Sequence, residues 1–145
     1  MANICTSLIV ALMIGSIPWT RDAVAAEPKS ADYAALSEAI LEGKEPRMPI
    51  DLSACQVHGV DIAGPPIKAS IRFDGYMIQA DGTIAFSTTH MTVRSDRSVR
   101  EFPSFRVHAN GKIEVRTVTL GVVNFAVLKD TSFDCEIGRA ATFRW

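Results

Sequence analysis

Four polar residues, Arg72, Asp74, Thr88 and His90, have the types and the spacing to act together. If the chain turns back between them as a hairpin, Asp74 faces Thr88 and Arg72 faces His90 on one side of the sheet. A histidine beside a carboxylate can act as a general base, and Ser87 is close in sequence. That serine points to the other face of its strand, so no nucleophile lies within reach of the base. The polar end of a half-buried strand produces the same pattern without activity. The four residues therefore stand as a candidate polar cluster, with no catalytic residue assigned. A small hydrolase built on His90 and Asp74 is the alternative.

Other chemistries find less support. His58, His90 and His108 are scattered, with no pair at the spacing that places two metal ligands on one face. No glycine-rich strand-to-helix turn is present to cradle phosphate, so neither metal nor cofactor is implied. With 15 basic and 16 acidic side chains and a net charge of −1, the 145-residue chain lacks the basic excess of a nucleic-acid binder. Arg94, Arg97 and Arg100 cluster within residues 95–101 and their flank, which reads as a charged, solvated loop.

Residues 4–17 form an uncharged, mostly apolar run, shorter than the roughly 20 residues that span a bilayer as a helix. Pro18 ends it, and Ala23-Val24-Ala25 supplies the small-x-small pattern of a signal-peptidase site. No Lys or Arg precedes the run. The expectation is a signal peptide over residues 1–25, cleaved after Ala25 or Ala26. One domain then spans residues 26–145 in the periplasm or outside the cell, with no transmembrane segment after cleavage. Of three cysteines, Cys5 leaves with the leader, and Cys55 and Cys135 remain. In an oxidising compartment a single pair outside any Cys-x-x-Cys motif reads as one structural disulfide.

The positioning elements follow from periodicity. Tyr33, Leu36, Ile40 and Leu41 recur at helical spacing, with Asp32 as a cap and Gly43 as terminator. Met48, Ile50, Leu52 and Ala54 alternate as a strand running into Cys55, and residues 56–68 read as a loop. Residues 76–86 and 105–115 look alike, each turning on Asp-Gly or Asn-Gly. A three-residue loop with a glycine bulge pairs Ile78 with Ile84 and Tyr76 with Phe86 in the first. It pairs Val107 with Ile113, Phe105 with Val115 and Arg106 with Glu114 in the second. That register requires Gly82 and Gly111 at positive φ. Further strands are expected over residues 122–128, 131–137 and 141–145.

The fold class is α+β, mainly β: an N-terminal helix followed by a curled antiparallel sheet or small barrel of about seven strands, with one disulfide. Trp145, Phe143 and Ala141 end the chain as outer-membrane barrels often end. A minimal membrane barrel would, however, put Arg72 and Asp74 on the face of Tyr76 and Ile78, toward lipid.

In order and spacing, several segments resemble the VirK family. They are Ala39-Ile40-Leu41-Glu42-Gly43-Lys44, Asp51-Leu52-Ser53-Ala54-Cys55, Asp81-Gly82-Thr83-Ile84-Ala85-Phe86-Ser87 with His90 and Thr92, and Cys135-Glu136-Ile137-Gly138 near Phe143 and Trp145. The resemblance implies a small exported protein of plant-associated bacteria. The agrobacterial member belongs to a virulence regulon induced by plant-wound signals, and the family has no established catalytic residues to carry over. The resulting expectation is a non-enzymatic accessory protein that binds a protein partner or a small ligand during interaction with a plant host.

Overall fold

The computed structural model describes residues 31–145. The expected leader, its cleavage site and Cys5 lie outside the described residues. Helix α1 (Ala31–Leu41) turns Tyr33, Leu36, Ala39 and Ile40 inward. Leu41, expected on the same stripe, is 73% exposed, because it lies about 100° round the helix from Ile40. Asp32 falls in the first turn rather than at the cap, where its charge still complements the helix dipole. Gly43 ends the helix at φ +79°, with Lys44 N–H donating to Ala39 O and Gly43 N–H to Ile40 O. That is the paired bonding of a left-handed glycine terminator.

Nine strands follow: β1 (Arg47–Asp51), β2 (Gln56–Val57), β3 (Lys68–Arg72), β4 (Tyr76–Ile78), β5 (Ile84–Ser87), β6 (His90–Arg94), β7 (Arg97–Val107), β8 (Lys112–Gly121) and β9 (Val127–Glu136). The strand expected to reach Ala54 stops at Asp51. There the Asp51 carboxylate accepts hydrogen bonds from Ser53 N and Oγ and caps a 3-10 turn over Leu52–Ala54.

β1 and β3 form a two-stranded sheet, and the others form a seven-stranded antiparallel sheet in the order β2-β9-β8-β7-β5-β4, with β6 also on β7. The fold is therefore α+β and mainly β. Within the described residues the sheet is open, not the closed barrel that was one of the two expected forms.

Both glycine-bulge hairpins have the expected register, and Gly82 and Gly111 stand at φ +84° and +88°. Residues 95–101 are not a solvated loop. Ser95 and Asp96, both at positive φ, make a two-residue turn between β6 and β7, and Glu101 lies inside β7. The expected strand over residues 122–128 is mainly the β8–β9 connection, with β9 starting at Val127. At the C-terminus, residues 141–145 make isolated bridges to β1, Ile50 to Ala141 and Arg47 to Arg144, and no full strand.

β5 and β6 keep a single register along β7, from Ile84 opposite Val107 to Arg94 opposite Arg97. The interruption at Thr88 faces Pro103. Thr88 N–H donates to Pro103 O, but proline has no N–H to return the bond, so the ladder breaks there.

One core joins the pieces. α1 and β1 lay Tyr33, Leu36, Ile40, Met48 and Ile50 against Ile84, Phe105, Val107, Ile113 and Val115 on the inner face of the large sheet. Phe73, Phe86 and Phe105 stack in sequence, with centroids 3.5 and 4.8 Å apart. The Cys55–Cys135 disulfide ties the end of the 3-10 turn to β9, beside the β2–β9 pairing.

Candidate functional site: a half-covered sheet face

α1 and the β1–β3 unit cover only part of the inner face. Along β7 the inward positions are Val99, Glu101, Pro103, Phe105 and Val107, all buried. Toward the Val99 end they meet a cavity of about 470 Å³ rather than the core. Ile50, Leu52, Ile67 and Ile71 wall it on the β1–β3 side, and Phe105, Val115 and Phe133 form its floor. Thr117, Thr119 and Thr131 come from neighbouring inward positions of β8 and β9 and place hydroxyls among the apolar groups. A bulge opposite Thr119 and Leu120 lets two successive β9 residues, Leu128 and Lys129, reach the cavity. Volume and lining suit a small-molecule site: an apolar wall and floor, with threonine hydroxyls along one side and charged groups at one end.

The charged end is built by the tight β6–β7 hairpin. Glu101 is 4% exposed, yet it is ionised: His90 Nε2 lies 2.8 Å from Oε2, and Arg94 Nε donates to Oε1. Burial opposes ionisation of Glu101. The hydrogen bond and charge of Arg94, with those of His90, outweigh it and hold the carboxyl below the ordinary glutamate range. Arg97 and Lys129 also line this end, and among the described residues neither has an anionic partner within ion-pair distance. Glu101 is thus neutralised from within, and two cations are left facing the cavity.

The candidate cluster divides. Thr88 and His90 share one continuous strand line, but β3 pairs with β1, placing Arg72 opposite Arg47 rather than opposite His90. Arg72 Nε lies 3.5 Å from Asp74 Oδ1 and its Nη1 lies 3.8 Å from Glu45 Oε2. Asp74 therefore does not face Thr88. The hairpin register was extended four residues too far, because β4 is only three residues long. Ser87 sits opposite Ser104, on the outer face.

The other histidines pair outside the cavity. His58 Nδ1 lies 3.0 Å from Asp134, whose hydrogen bond raises the imidazole above its ordinary value, and His108 Nε2 lies 3.1 Å from Glu114. Among the described residues, no three potential ligands are grouped to hold a metal, and no helix is long and apolar enough to cross a membrane. The residues that sequence reading missed are Glu101, Arg97, Lys129 and the threonines. One signal was legible: an acid at an inward position of the alternating run Val99, Glu101, Pro103, Phe105, Val107.

Comparison with known proteins agrees with this architecture. The family profile described as VirK protein matches residues 29–125. An uncharacterized protein from the pinF2 3′ region of Rhizobium radiobacter is 30% identical over 109 residues, covering 73% of this chain and 74% of that protein. One from Sinorhizobium fredii is 30% identical over 116 residues, covering 78% and 79%. The crystal structure of a VirK family protein from Legionella pneumophila superposes with a TM-score of 0.70 at 17% identity, over 81% of this chain and 99% of that one. The chain described here belongs to the VirK family.

Proposed function

We propose that this protein is an exported accessory protein that binds a small anionic amphiphile in the cavity under β1 and β3, and acts by binding rather than by turnover. The cavity carries the proposal: a mainly apolar space of about 470 Å³ lined at one end by Arg97 and Lys129. An apolar body would lie between Ile67, Ile71 and Phe105, with an anionic head at the two cations. The separation of Asp74 from His90, and the outward position of Ser87, favour binding over hydrolysis. Export rests on the leader pattern of residues 1–25 and on a disulfide suited to an oxidising compartment. A role in plant-host interaction is the expectation attached to the family, consistent with relatives from Rhizobium radiobacter and Sinorhizobium fredii.

Fluorescence titration of the oxidised protein with anilinonaphthalene sulfonate, an anionic apolar probe, tests the reading. Wild type should bind saturably, Thr117→Phe should lose binding by filling the cavity, and Lys129→Glu should weaken it. Equal binding by wild type and Thr117→Phe would place the probe elsewhere and defeat the proposal. The intact mass of exported protein reports the leader: retention of Met1 or two free thiols counts against export.

A further inference from the structure

At the end of the sheet where the cavity's charged groups lie, the outer face is unusually apolar. The β6–β7 turn and residues 122–126 flank the start of β7, where Val99 is opposite Gly121. Met91, Arg100, Leu120 and Val127 form one cross-strand row there, with Val93 beside it, and all four apolar members reach solvent at least in part. Val123, at the tip of the β8–β9 connection, is 97% exposed.

Phe125 is the most informative residue. It holds φ +55°, a conformation that favours glycine or asparagine, and it is still 56% exposed, with its ring 5.6 Å from the Arg100 guanidinium. A bulky side chain in the left-handed region is strained, and such strain points to function when burial within the chain does not offset it. The charges around it are lopsided. Arg97, Arg100 and Lys129 stand against Asp96, while Asp130 is held by Arg116 and Glu101 by Arg94 and His90. This end is therefore positive on a chain whose formal net charge is −1.

From this juxtaposition we infer that the hairpin end carrying Val123 and Phe125 docks on an anionic lipid bilayer. The two side chains enter the headgroup boundary, Arg97, Arg100 and Lys129 meet lipid phosphates, and the charged end of the cavity faces the membrane. Arg97 and Lys129 border both sites, but Arg100, Val123 and Phe125 lie outside the cavity lining, so the two proposals can fail separately.

Co-sedimentation with vesicles tests it, comparing pure phosphatidylcholine with an equal mixture of phosphatidylcholine and phosphatidylglycerol. Wild type should partition onto the mixed vesicles, release as salt is raised, and bind pure phosphatidylcholine weakly. Arg100→Glu should lower partition about fivefold for each unit of charge changed, and Val123→Asp about tenfold or more. Phe125→Gly separates fold from docking: its unfolding midpoint should hold or rise while its partition falls. Val123→Asp and Phe125→Gly should bind anilinonaphthalene sulfonate as wild type does, since neither residue lines the cavity. Equal partition onto both vesicle types, or no effect of Val123→Asp, overturns the inference. So does absence of vesicle binding accompanied by a dimer that Val123→Asp dissociates, which would make the patch a contact between two copies of the chain.

Discussion

His90 and Glu101 are direct partners across β6 and β7, with Nε2 of the imidazole 2.8 Å from Oε2 of a carboxylate that is almost wholly buried. Arg94, two turns of the pleat away on the same side of β6, grips the other oxygen. The charge is thus buried as a hydrogen-bonded triad at the charged end of the cavity, a cost offset only while both partners are present.

Glu101→Gln should lower stability by about 1–2 kcal/mol, because Arg94 and His90 can still turn toward water. Urea unfolding reads this directly. The pH dependence has a defined sign. A carboxyl held below its unfolded value of about 4.5 contributes stability that is fully present above that pH and is lost as pH falls toward the folded value. Wild type should therefore lose stability below about pH 4.5 more steeply than Glu101→Gln. Parallel curves would show that the triad contributes nothing.

Replacing Cys55 and Cys135 together by alanine should cost about 4–5 kcal/mol, since the bond closes a loop of 80 residues in the unfolded chain. Guanidinium midpoints of the oxidised wild type and the double variant measure it. A difference under about 1 kcal/mol would mean that the unfolded chain is already constrained.

Two glycines should respond for different reasons. A Cβ at Gly64 would meet Leu52 O at 2.1 Å, so Gly64→Ala must move backbone beside the disulfide and should cost more than about 2 kcal/mol. Gly43 has open space around it but a φ of +79°, so Gly43→Ala should cost only about 1 kcal/mol. Thermal unfolding of both gives the ranking, and a reversed order would contradict the packing described.

Ile40 and Leu41 are adjacent yet differ wholly in burial. Ile40→Ala should cost about 2–4 kcal/mol and Leu41→Ala less than about 0.5 kcal/mol. Equal effects in denaturant titration would place the helix in a different phase.

Local pattern alone determined the helix with its glycine terminator, both bulged hairpins down to the paired residues, and the cysteine pair. Each of these depends on neighbours in sequence or on a count of residue types, so the information is near at hand. Only the tertiary structure decided that β3 leaves the hairpin line to pair with β1, which separates Arg72 and Asp74 from Thr88 and His90. It alone decided that a charged stretch around Ser95 and Asp96 becomes a tight turn that buries Glu101. Strand partners at long range are selected by which faces the whole chain can bury. For that reason the cavity, and the cations left unpaired at its end, exist only once the β1–β3 unit is laid across half of the sheet.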